Sequence, residues 1–362
     1  MESTLDLSAC APPGGEVADT LGGPVATDAR GRARQVVDIV GVPTAGEPKF
    51  NAVLAGLIES CWQRHVVPVL TRTWPDVFAL PYLNKLRAGF ETYAGMGLCV
   101  VVCSRTRPRA LRVAVAASQA LGLSDHAIMA LGTPLIPAMY RLLLAPEMRR
   151  VALMSALILL LDEALDDSMG HLPPRERPDE VRRVMNGERE VGRDVLGAVD
   201  ATCKALRAEC RDARDADALR QAFEATHRWA VGDIANLQGE PDPLGQCHRR
   251  IGVTASMDLV AWGVSSYVGD KERDWMYGIA ELGQMVDDWV DLDKDARAGR
   301  RTPAHDGTWS LDTIRASLVT TEAQLLELAR DAGATYGPFV ELQRRTYRTQ
   351  IQRMAQILVH NP

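Results

Sequence analysis

Apolar residues recur every three to four positions from about residue 47 onward, and short Gly/Pro breaks separate the segments. This period is that of one face of an α-helix, and alternating runs of Val, Ile and Thr that would favour strands are scarce. The pattern predicts ten helices, beginning near residues 51, 80, 108, 145, 177, 217, 254, 273, 310 and 338. Only the run CVVVC at residues 99–103 is similar to a strand, and we interpret it as buried helix. The chain is therefore predicted to be all-α, an antiparallel bundle with short loops.

The first 45 residues lack this periodicity and are rich in Gly, Pro, Ala, Asp and Thr. Such a composition buries little apolar surface, so we predict a disordered leader over residues 1–45. Residues 46–362 are predicted to form a single all-α domain. The longest strongly apolar run, VALMSALILLL at residues 151–161, has eleven residues, whereas a membrane-spanning helix needs about 20. We therefore predict a buried core helix there and no stable membrane insertion.

Composition excludes some classes of function. The 362 residues carry a formal net charge of −6 and no long basic run, which argues against a nucleic-acid-binding surface. The seven cysteines are scattered without a CxxC pair, which is typical of reduced thiols and not of a disulfide framework or a zinc site. The N-terminus lacks the basic and apolar regions of a signal peptide, so we expect a cytoplasmic protein. The oligomeric state stays open, with a homodimer among the alternatives.

The first acidic segment, residues 162–167, reads DEALDD and ends the apolar run. Asp162 lies four residues before Asp166, and residues at this spacing share one face of an α-helix. The same holds for Glu163 and Asp167. Because the preceding helix is so apolar, we expect these carboxylates at the rim of a cavity. A solvated helix face is the alternative.

The second acidic segment, residues 287–295, carries Asp287, Asp291 and Asp295 at four-residue steps, with Asp288 beside the first. Like charges at this spacing each cost a helix roughly 0.2–0.5 kcal/mol, so something must offset their repulsion. A divalent cation would do so, and Mg²⁺ is commonly held by one or two carboxylates together with substrate phosphates. We therefore expect two helices with facing carboxylates to hold magnesium ions and, through them, a diphosphate. A solvated face with ion pairs to the following arginines is the alternative.

These two segments resemble the metal-binding motifs of the class I isoprenoid (terpene) synthase family. In that family a DDxxD motif on one helix faces an (N/D)DxxSxxxE motif on another. Residues 162–166 are similar to the first motif, with Glu163 in place of its second Asp. Residues 287–295 keep the spacing of the second motif, with Asp at its Ser and Glu positions. The resemblance covers about residues 150–350.

The resemblance also implies binding residues. Family members carry an arginine before a Gly-x5-Asp-Leu stretch, whose glycine matches Gly252, and this gives a diphosphate-binding role to Arg249 or Arg250. An Arg-Tyr pair that closes over the diphosphate is matched approximately by Tyr347 and Arg348. The family binds three Mg²⁺ ions, and the implied metal-binding residues are Asp162, Glu163, Asp166, Asp167, Asp287, Asp288, Asp291 and Asp295.

The resemblance thus implies a class I isoprenoid synthase-like antiparallel helical bundle and a Mg²⁺-dependent terpene synthase. Its substrate would be a linear prenyl diphosphate, farnesyl or geranylgeranyl diphosphate, and the carbocation left by diphosphate release would cyclise. The catalytic residues implied are Asp162, Asp166, Asp287, Asp291 and Asp295. Two alternatives stay open. One is a prenyl-coupling enzyme of the same superfamily, a chain-elongating prenyltransferase or a squalene/phytoene synthase-like enzyme. The other is a non-catalytic helical interaction protein.

Overall fold

The fold is described from a computed structural model, which covers residues 28–41, 58–103, 145–237, 252–263, 269–297, 299, 302–331 and 348. Every regular element within these ranges is helical and none is a strand, which confirms the all-α prediction for this part of the chain. Its α-helices are α1 Ala29–Val40, α2 Val67–Thr73, α3 Tyr82–Cys103, α4 Ala145–Glu163, α5 Arg177–Asn186, α6 Val195–Ala208, α7 Ala213–Leu237, α8 Gly252–Gly263, α9 Asp270–Val290, α10 Leu292–Arg297 and α11 Leu311–Asp331. Two π-helical turns, Trp62–Val66 and Ala164–Ser168, and two 3₁₀ turns, Pro75–Ala79 and Pro174–Glu176, complete the described elements. None of the described helices has the length and apolar character needed to cross a membrane.

Helix α4 forms the centre of the described core. Every residue from Val151 to Leu161 is buried, which confirms the predicted core helix. Because the helix is apolar on all sides, it needs neighbours on all sides, and α3, α6 and α8 pack against it. Close packing between α3 and α4 depends on two glycines of α3. A Cβ added at Gly89 would lie 2.5 Å from the side chain of Leu159, and a Cβ added at Gly97 would lie 2.9 Å from that of Val151. The end of α3 includes residues 99–103, which are helical as predicted.

Helices α4 and α7 run in the same direction. Near their first turns, Arg150 of α4 pairs with Asp215 of α7 at 2.8 Å. Further along α7, His227 lies 3.0 Å from a carboxylate in the first turn of α5. Arg177, which begins α5, donates to the carbonyl oxygen of Leu165 at 3.0 Å, just beyond the end of α4. The start of α7 is therefore near the start of α4, and its middle is near the end of α4.

Helices α8 and α9 form the next antiparallel pair. Trp262, near the end of α8, donates to the carbonyl oxygen of Asp215 at 2.9 Å. Because α7 begins at Ala213, α8 can pack along it only by running antiparallel. Tyr277 of α9 donates to Asp258 of α8 at 2.6 Å, close to a short connection, so α9 in turn runs antiparallel to α8. Helices α9 and α4 consequently point the same way, and their acidic C-terminal ends lie at the same end of the bundle.

Helix α1 lies within the leader that the sequence predicts to be disordered, and the structure differs from the prediction there. Asp28 caps the helix by accepting a hydrogen bond from the backbone N–H of Gly31 at 2.6 Å. Ala33 and Val36 are buried, and the helix packs against α9 and α11. The helical spacing of these apolar residues was concealed by the Gly- and Pro-rich composition around them. Residues 1–27 lie outside the described residues.

The helix predicted from residue 177 to about residue 213 is divided into α5 and α6. Gly187 ends α5 with a φ of 72°, a left-handed conformation that glycine adopts without steric cost. Helix α6 then begins at a new cap, where Asp194 accepts a hydrogen bond from the N–H of Gly197 at 3.0 Å. Charged residues continue at helical spacing through this break, which is why the sequence pattern suggested a single helix.

Candidate functional site

The second acidic segment lies where α9 ends and the chain bends into α10. The sequence predicts one continuous helix here, but α9 ends at Val290, and Asp291 has a φ of −87° and a ψ of 11°, in the sparsely populated bridge region. Helical hydrogen bonds nevertheless continue across the bend. The N–H of Asp291 donates to the carbonyl oxygen of Asp287 at 2.8 Å, and the N–H of Asp295 donates to that of Asp291 at 2.9 Å. The four-residue register of these aspartates is therefore kept.

The motif aspartates of this segment do not form a solvated helix face. Asp288 is fully buried and Asp295 is 8% exposed, while Asp287 and Asp291 are half-buried. Ionised carboxylates are costly to bury unless charges or hydrogen bonds compensate. Gln284, one turn earlier, supplies part of that compensation, because its Nε2 donates to Asp287 at 3.3 Å and to Asp288 at 3.0 Å. Carboxylate oxygens are thus concentrated where water has little access.

Two side chains from outside α9 contact the backbone on either side of Asp291. Arg32 of α1 donates through Nε and a terminal nitrogen to the carbonyl oxygen of Val290, at 3.3 and 3.1 Å. The Nε2 atom of His305 lies 3.0 Å from the carbonyl oxygen of Leu292. Sequence reasoning missed both side chains. The only sequence signal for Arg32 was the amphipathic pattern of α1. His305 lies in a loop after the motif, and no sequence pattern indicated its contact.

The first acidic segment begins in the last turn of α4, which carries Asp162 and Glu163, and continues into the π-helical turn Ala164–Ser168. The N–H of Met169 donates to the carbonyl oxygen of Ala164 at 3.1 Å, five residues earlier, so the helix is wider here than the α-helix assumed from the sequence. Such turns are frequent at functional sites. Because of this widening, residues four positions apart do not have the same angular separation here as on a regular α-helix.

The side chains of this first segment are described only in part. Asp162 is half-buried, with 39% of its side chain accessible, and pairs with Lys85 at 3.0 Å. Glu163 is half-buried. The backbones of Asp166 and Asp167 belong to the π-helical turn, whereas their side chains lie outside the described residues. Asp162 and Glu163 are therefore both partly accessible to solvent.

The two acid-bearing helices are connected through shared neighbours. Helices α3 and α8 each contact both α4 and α9, and they also contact one another. Within the described ranges, α4 and α9 do not pack along each other. They therefore occupy opposite positions in a group of four helices, with their acidic ends on the same side. The structure brings the two segments to one end of this group.

The predicted diphosphate-binding residues are mostly undescribed, since three of them lie outside the described residues: Arg249, Arg250 and Tyr347. The guanidinium of Arg348 forms two hydrogen bonds, at 2.7 and 2.9 Å, to the Glu322 carboxylate of α11. It also donates to the carbonyl oxygen of Val40 at the end of α1, at 3.2 Å. Arg348 thus fastens α1 to α11, and binding a diphosphate would require it to release Glu322.

A carboxylate–phenol pair joins α8 to α9. Burial and the hydrogen bond that Tyr277 donates to Asp258 raise the pKa of Tyr277 above its usual value. Positions 277, 284 and 288 follow the helical period, which puts this pair on the same face of α9 as Gln284 and Asp288. Along the helix axis it lies about 16 Å from Asp288. Polar side chains thus follow one face of α9 up to the second acidic segment.

The carboxylates of the two acidic segments are the candidate ligands for the magnesium that the resemblance implies. Among the described residues, no three or more His, Cys, Asp or Glu side chains are arranged to hold a metal. Mg²⁺ does not require such a cage, because one or two carboxylates commonly hold it while water and substrate phosphates complete the octahedron. The half-buried Asp287 and Asp291 fit that role. The residues present therefore fit an ion shared with an anionic ligand better than a permanently caged ion.

No family model matches this chain, no curated protein matches it in sequence, and no solved structure matches its fold. The resemblance to class I isoprenoid synthases therefore depends on the two acidic segments and the stretch between them. The geometry of these segments is the basis for assigning a function.

Proposed function

We propose that this protein is a Mg²⁺-dependent class I terpene synthase that ionises a linear prenyl diphosphate and cyclises the resulting carbocation. One observation carries the proposal: Asp287, Asp291 and Asp295 keep a four-residue register, and each of them is buried or half-buried. The same end of the bundle receives the acidic end of α4. A cation would stabilise like charges crowded in a shielded place, and carboxylate oxygens are the ligands that Mg²⁺ prefers.

The chemistry asked of the site is heterolysis of a carbon–oxygen bond. The diphosphate leaves with the bonding electron pair, and an allylic carbocation remains on the prenyl chain. Bound magnesium would supply positive charge to the departing diphosphate. Asp287 and Asp291 would hold that charge in place, and Gln284 keeps the carboxylate of Asp287 oriented through its hydrogen bond. Arg249 or Arg250, and Tyr347 with Arg348, remain the proposed partners of the diphosphate oxygens.

The rest of the reaction needs shelter from water. A carbocation that meets water is quenched before it can cyclise, so the prenyl chain must lie against apolar side chains. Helix α4, buried from Val151 to Leu161, and the packed α3 and α8 provide an apolar interior below the acidic ends. The cyclised cation would then lose a proton to a base or capture a single water molecule. Farnesyl and geranylgeranyl diphosphate are the proposed substrates.

The test is to incubate the purified chain with geranyl, farnesyl or geranylgeranyl diphosphate and Mg²⁺. Released diphosphate is quantified and the organic products are identified by mass spectrometry. We expect diphosphate release that EDTA abolishes, with cyclic products built from one prenyl unit. Longer products that need two prenyl units would assign the chain to the coupling enzymes instead. A complete lack of diphosphate release with all three substrates would favour a non-catalytic helical protein.

A further inference from the structure

We infer that Arg32 and His305 are positioning residues that hold the bend at Asp291 and thereby orient the metal-binding carboxylates. The inference rests on the proposed function. Together the two side chains are called the carbonyl clamp. Neither residue belongs to a recognised motif, and Arg32 is separated by about 260 residues of sequence from the segment that it contacts. Both reach the same three-residue stretch, residues 290–292, from elements outside α9.

Arg32 is built into the core at this point. Only 2% of Arg32 is exposed, and two of its side-chain nitrogens donate to the carbonyl oxygen of Val290. It also pairs with the carboxylate of Asp293 at 2.8 Å. A helix leaves its last carbonyl groups without intrahelical partners, and its C-terminal end carries partial negative charge. A buried guanidinium therefore stabilises the end of α9 and ties it to α1.

His305 contacts the backbone on the other side of the bend, at Leu292. The backbone N–H of Thr302 lies 3.2 Å from Nδ1, and because an N–H can only donate, Nδ1 must accept. The ring proton of the neutral imidazole is then on Nε2, which donates to the carbonyl oxygen of Leu292 at 3.0 Å. Thr302 is buried, and the N–H of His305 donates back to its carbonyl oxygen at 2.9 Å. The turn thus fixes the imidazole that holds Leu292.

The two contacted carbonyl groups belong to the residues on either side of Asp291. Any rotation of the backbone at Asp291 would turn one of these carbonyls away from its donor. The side chain of Asp291 is thereby restrained without being touched by either clamp residue. A carboxylate that must share an ion with a mobile diphosphate benefits from such restraint, because less conformational freedom is lost on binding. Groups that orient metal ligands typically change metal affinity by about 10–100-fold when removed.

The experiment compares four variants with the wild-type chain. Arg32→Gln shortens the arginine and removes its charge. His305→Asn keeps an acceptor near Nδ1 but no donor that reaches Leu292, whereas His305→Gln keeps a donor near Nε2. Arg207→Gln is the matched control, because Arg207 also donates to a helix carbonyl, that of Met185, away from the bend. Calorimetry measures Mg²⁺ binding with inorganic pyrophosphate, and hydrogen exchange reports the amides of residues 291–297.

We expect Arg32→Gln and His305→Asn to weaken Mg²⁺ binding by about tenfold and to speed exchange at residues 291–297. His305→Gln should stay within about twofold of the wild type, and Arg207→Gln should lose stability without a change in Mg²⁺ affinity. If the wild type binds Mg²⁺ and pyrophosphate and both clamp variants match it, the clamp is overturned while the proposed function stands. A wild type that binds neither overturns the proposed function and the clamp's role with it.

Discussion

The two acidic segments share residue type and spacing but differ in their surroundings. In the first, Asp162 is 39% exposed and pairs with an exposed lysine. In the second, Asp288 is completely buried and Asp295 nearly so. The neighbouring helices also differ: α9 is contacted by α1, α3, α8 and α11, whereas α4, whose last turn carries Asp162, is contacted by α3, α6 and α8. Residue type and spacing therefore do not determine how accessible a carboxylate is to water, because packing by the neighbouring helices does.

The largest difference between the two acidic segments is expected in their effect on catalysis. Charges interact more strongly where water is excluded, so Asp291→Asn should lower Mg²⁺-dependent diphosphate release by about a hundredfold or more. Asp162→Asn should lower it by about tenfold or less, because solvent screens an exposed carboxylate. Initial rates with farnesyl diphosphate at several Mg²⁺ concentrations measure both effects.

The matched control for this pair is Asp312→Asn. Asp312 has 87% of its side chain exposed and pairs only locally with Arg315, so its rate should equal that of the wild type. Equal losses in Asp162→Asn and Asp291→Asn would contradict the distinction between the segments. Unchanged rates in both variants would remove the metal-binding role from both segments.

The second contrast concerns stability. Each segment is capped by an arginine: Arg177 donates to the carbonyl oxygens of Leu165 and Leu172 at 3.0 and 3.3 Å, and Arg32 to that of Val290. Arg177 is half-buried and Arg32 is almost completely buried. Arg32→Gln should lower the free energy of unfolding by about 2–3 kcal/mol, and Arg177→Gln by about 1 kcal/mol. Urea denaturation followed by circular dichroism measures both, and a larger loss in Arg177→Gln would reverse the comparison.

Much of the fold could be predicted from periodicity, because apolar spacing reports directly which face a helix buries. The core helix at residues 151–161 and the helical state of residues 99–103 are confirmed on this basis. Breaks inside charged segments were missed, as at Gly187, because helical charge spacing continues through them. Helix α1 was missed because the composition around it is typical of disorder. A twelve-residue helix that depends on tertiary packing gives little signal of its own.

The candidate site was less predictable than the fold. Spacing identified the aspartates at positions 287, 291 and 295, and the structure keeps their register through the bend. Spacing could not reveal that Asp288 is buried, since burial depends on helices distant in sequence. It could not reveal the partners of the bend either, because Arg32 and His305 approach it from other parts of the chain. Gln284 was within reach of prediction, since it lies three and four residues before two of the aspartates.

A third difference is in how acidification affects the contacts that hold α4 and those that hold α9. Burial alone would raise the pKa of Asp215, but hydrogen bonds from the Arg211 N–H and from Arg150 outweigh it and hold this pKa below its usual value. A carboxyl with a lowered folded-state pKa stabilises the protein above its unfolded pKa of about 4, and this contribution is lost as the pH falls through the folded pKa. The carboxylate of Asp215 anchors α4 to α7 through Arg150, whereas Arg32 contacts α9 through the backbone carbonyl of Val290, which does not titrate.

Unfolding free energy measured from pH 6 down to pH 3 should therefore decline below about pH 4, with no more than about 1.4 kcal/mol per pH unit from this one carboxyl. Asp215→Asn should be less stable at neutral pH and should show a flatter decline. Hydrogen exchange should increase in α4 before it increases in α9. The same pH dependence in Asp215→Asn and the wild type would show that other carboxyl groups dominate the decline.

The smallest contrast uses the lysine that pairs with an aspartate of each segment, Lys294 within the second segment and Lys85 on α3. Lys294 contacts Asp291 at 3.2 Å and Lys85 contacts Asp162 at 3.0 Å, and both ammonium groups are about half exposed. If these aspartates hold magnesium, each lysine competes with the ion for the same oxygen. Neutralising the lysine should then strengthen Mg²⁺ binding while stability changes by less than about 0.5 kcal/mol.

The two lysine substitutions should differ in size because their partners differ in exposure. The side chain of Asp291 is 15% exposed and that of Asp162 is 39% exposed, so the interaction of Lys294 is less screened. Lys294→Gln should lower the half-saturating Mg²⁺ concentration by about threefold, and Lys85→Gln by less than about twofold. The measurement is a Mg²⁺ titration of diphosphate release. A rise in the half-saturating concentration would instead mean that the lysine assists the diphosphate, and a larger effect at Lys85 would place the tighter metal site in the first acidic segment.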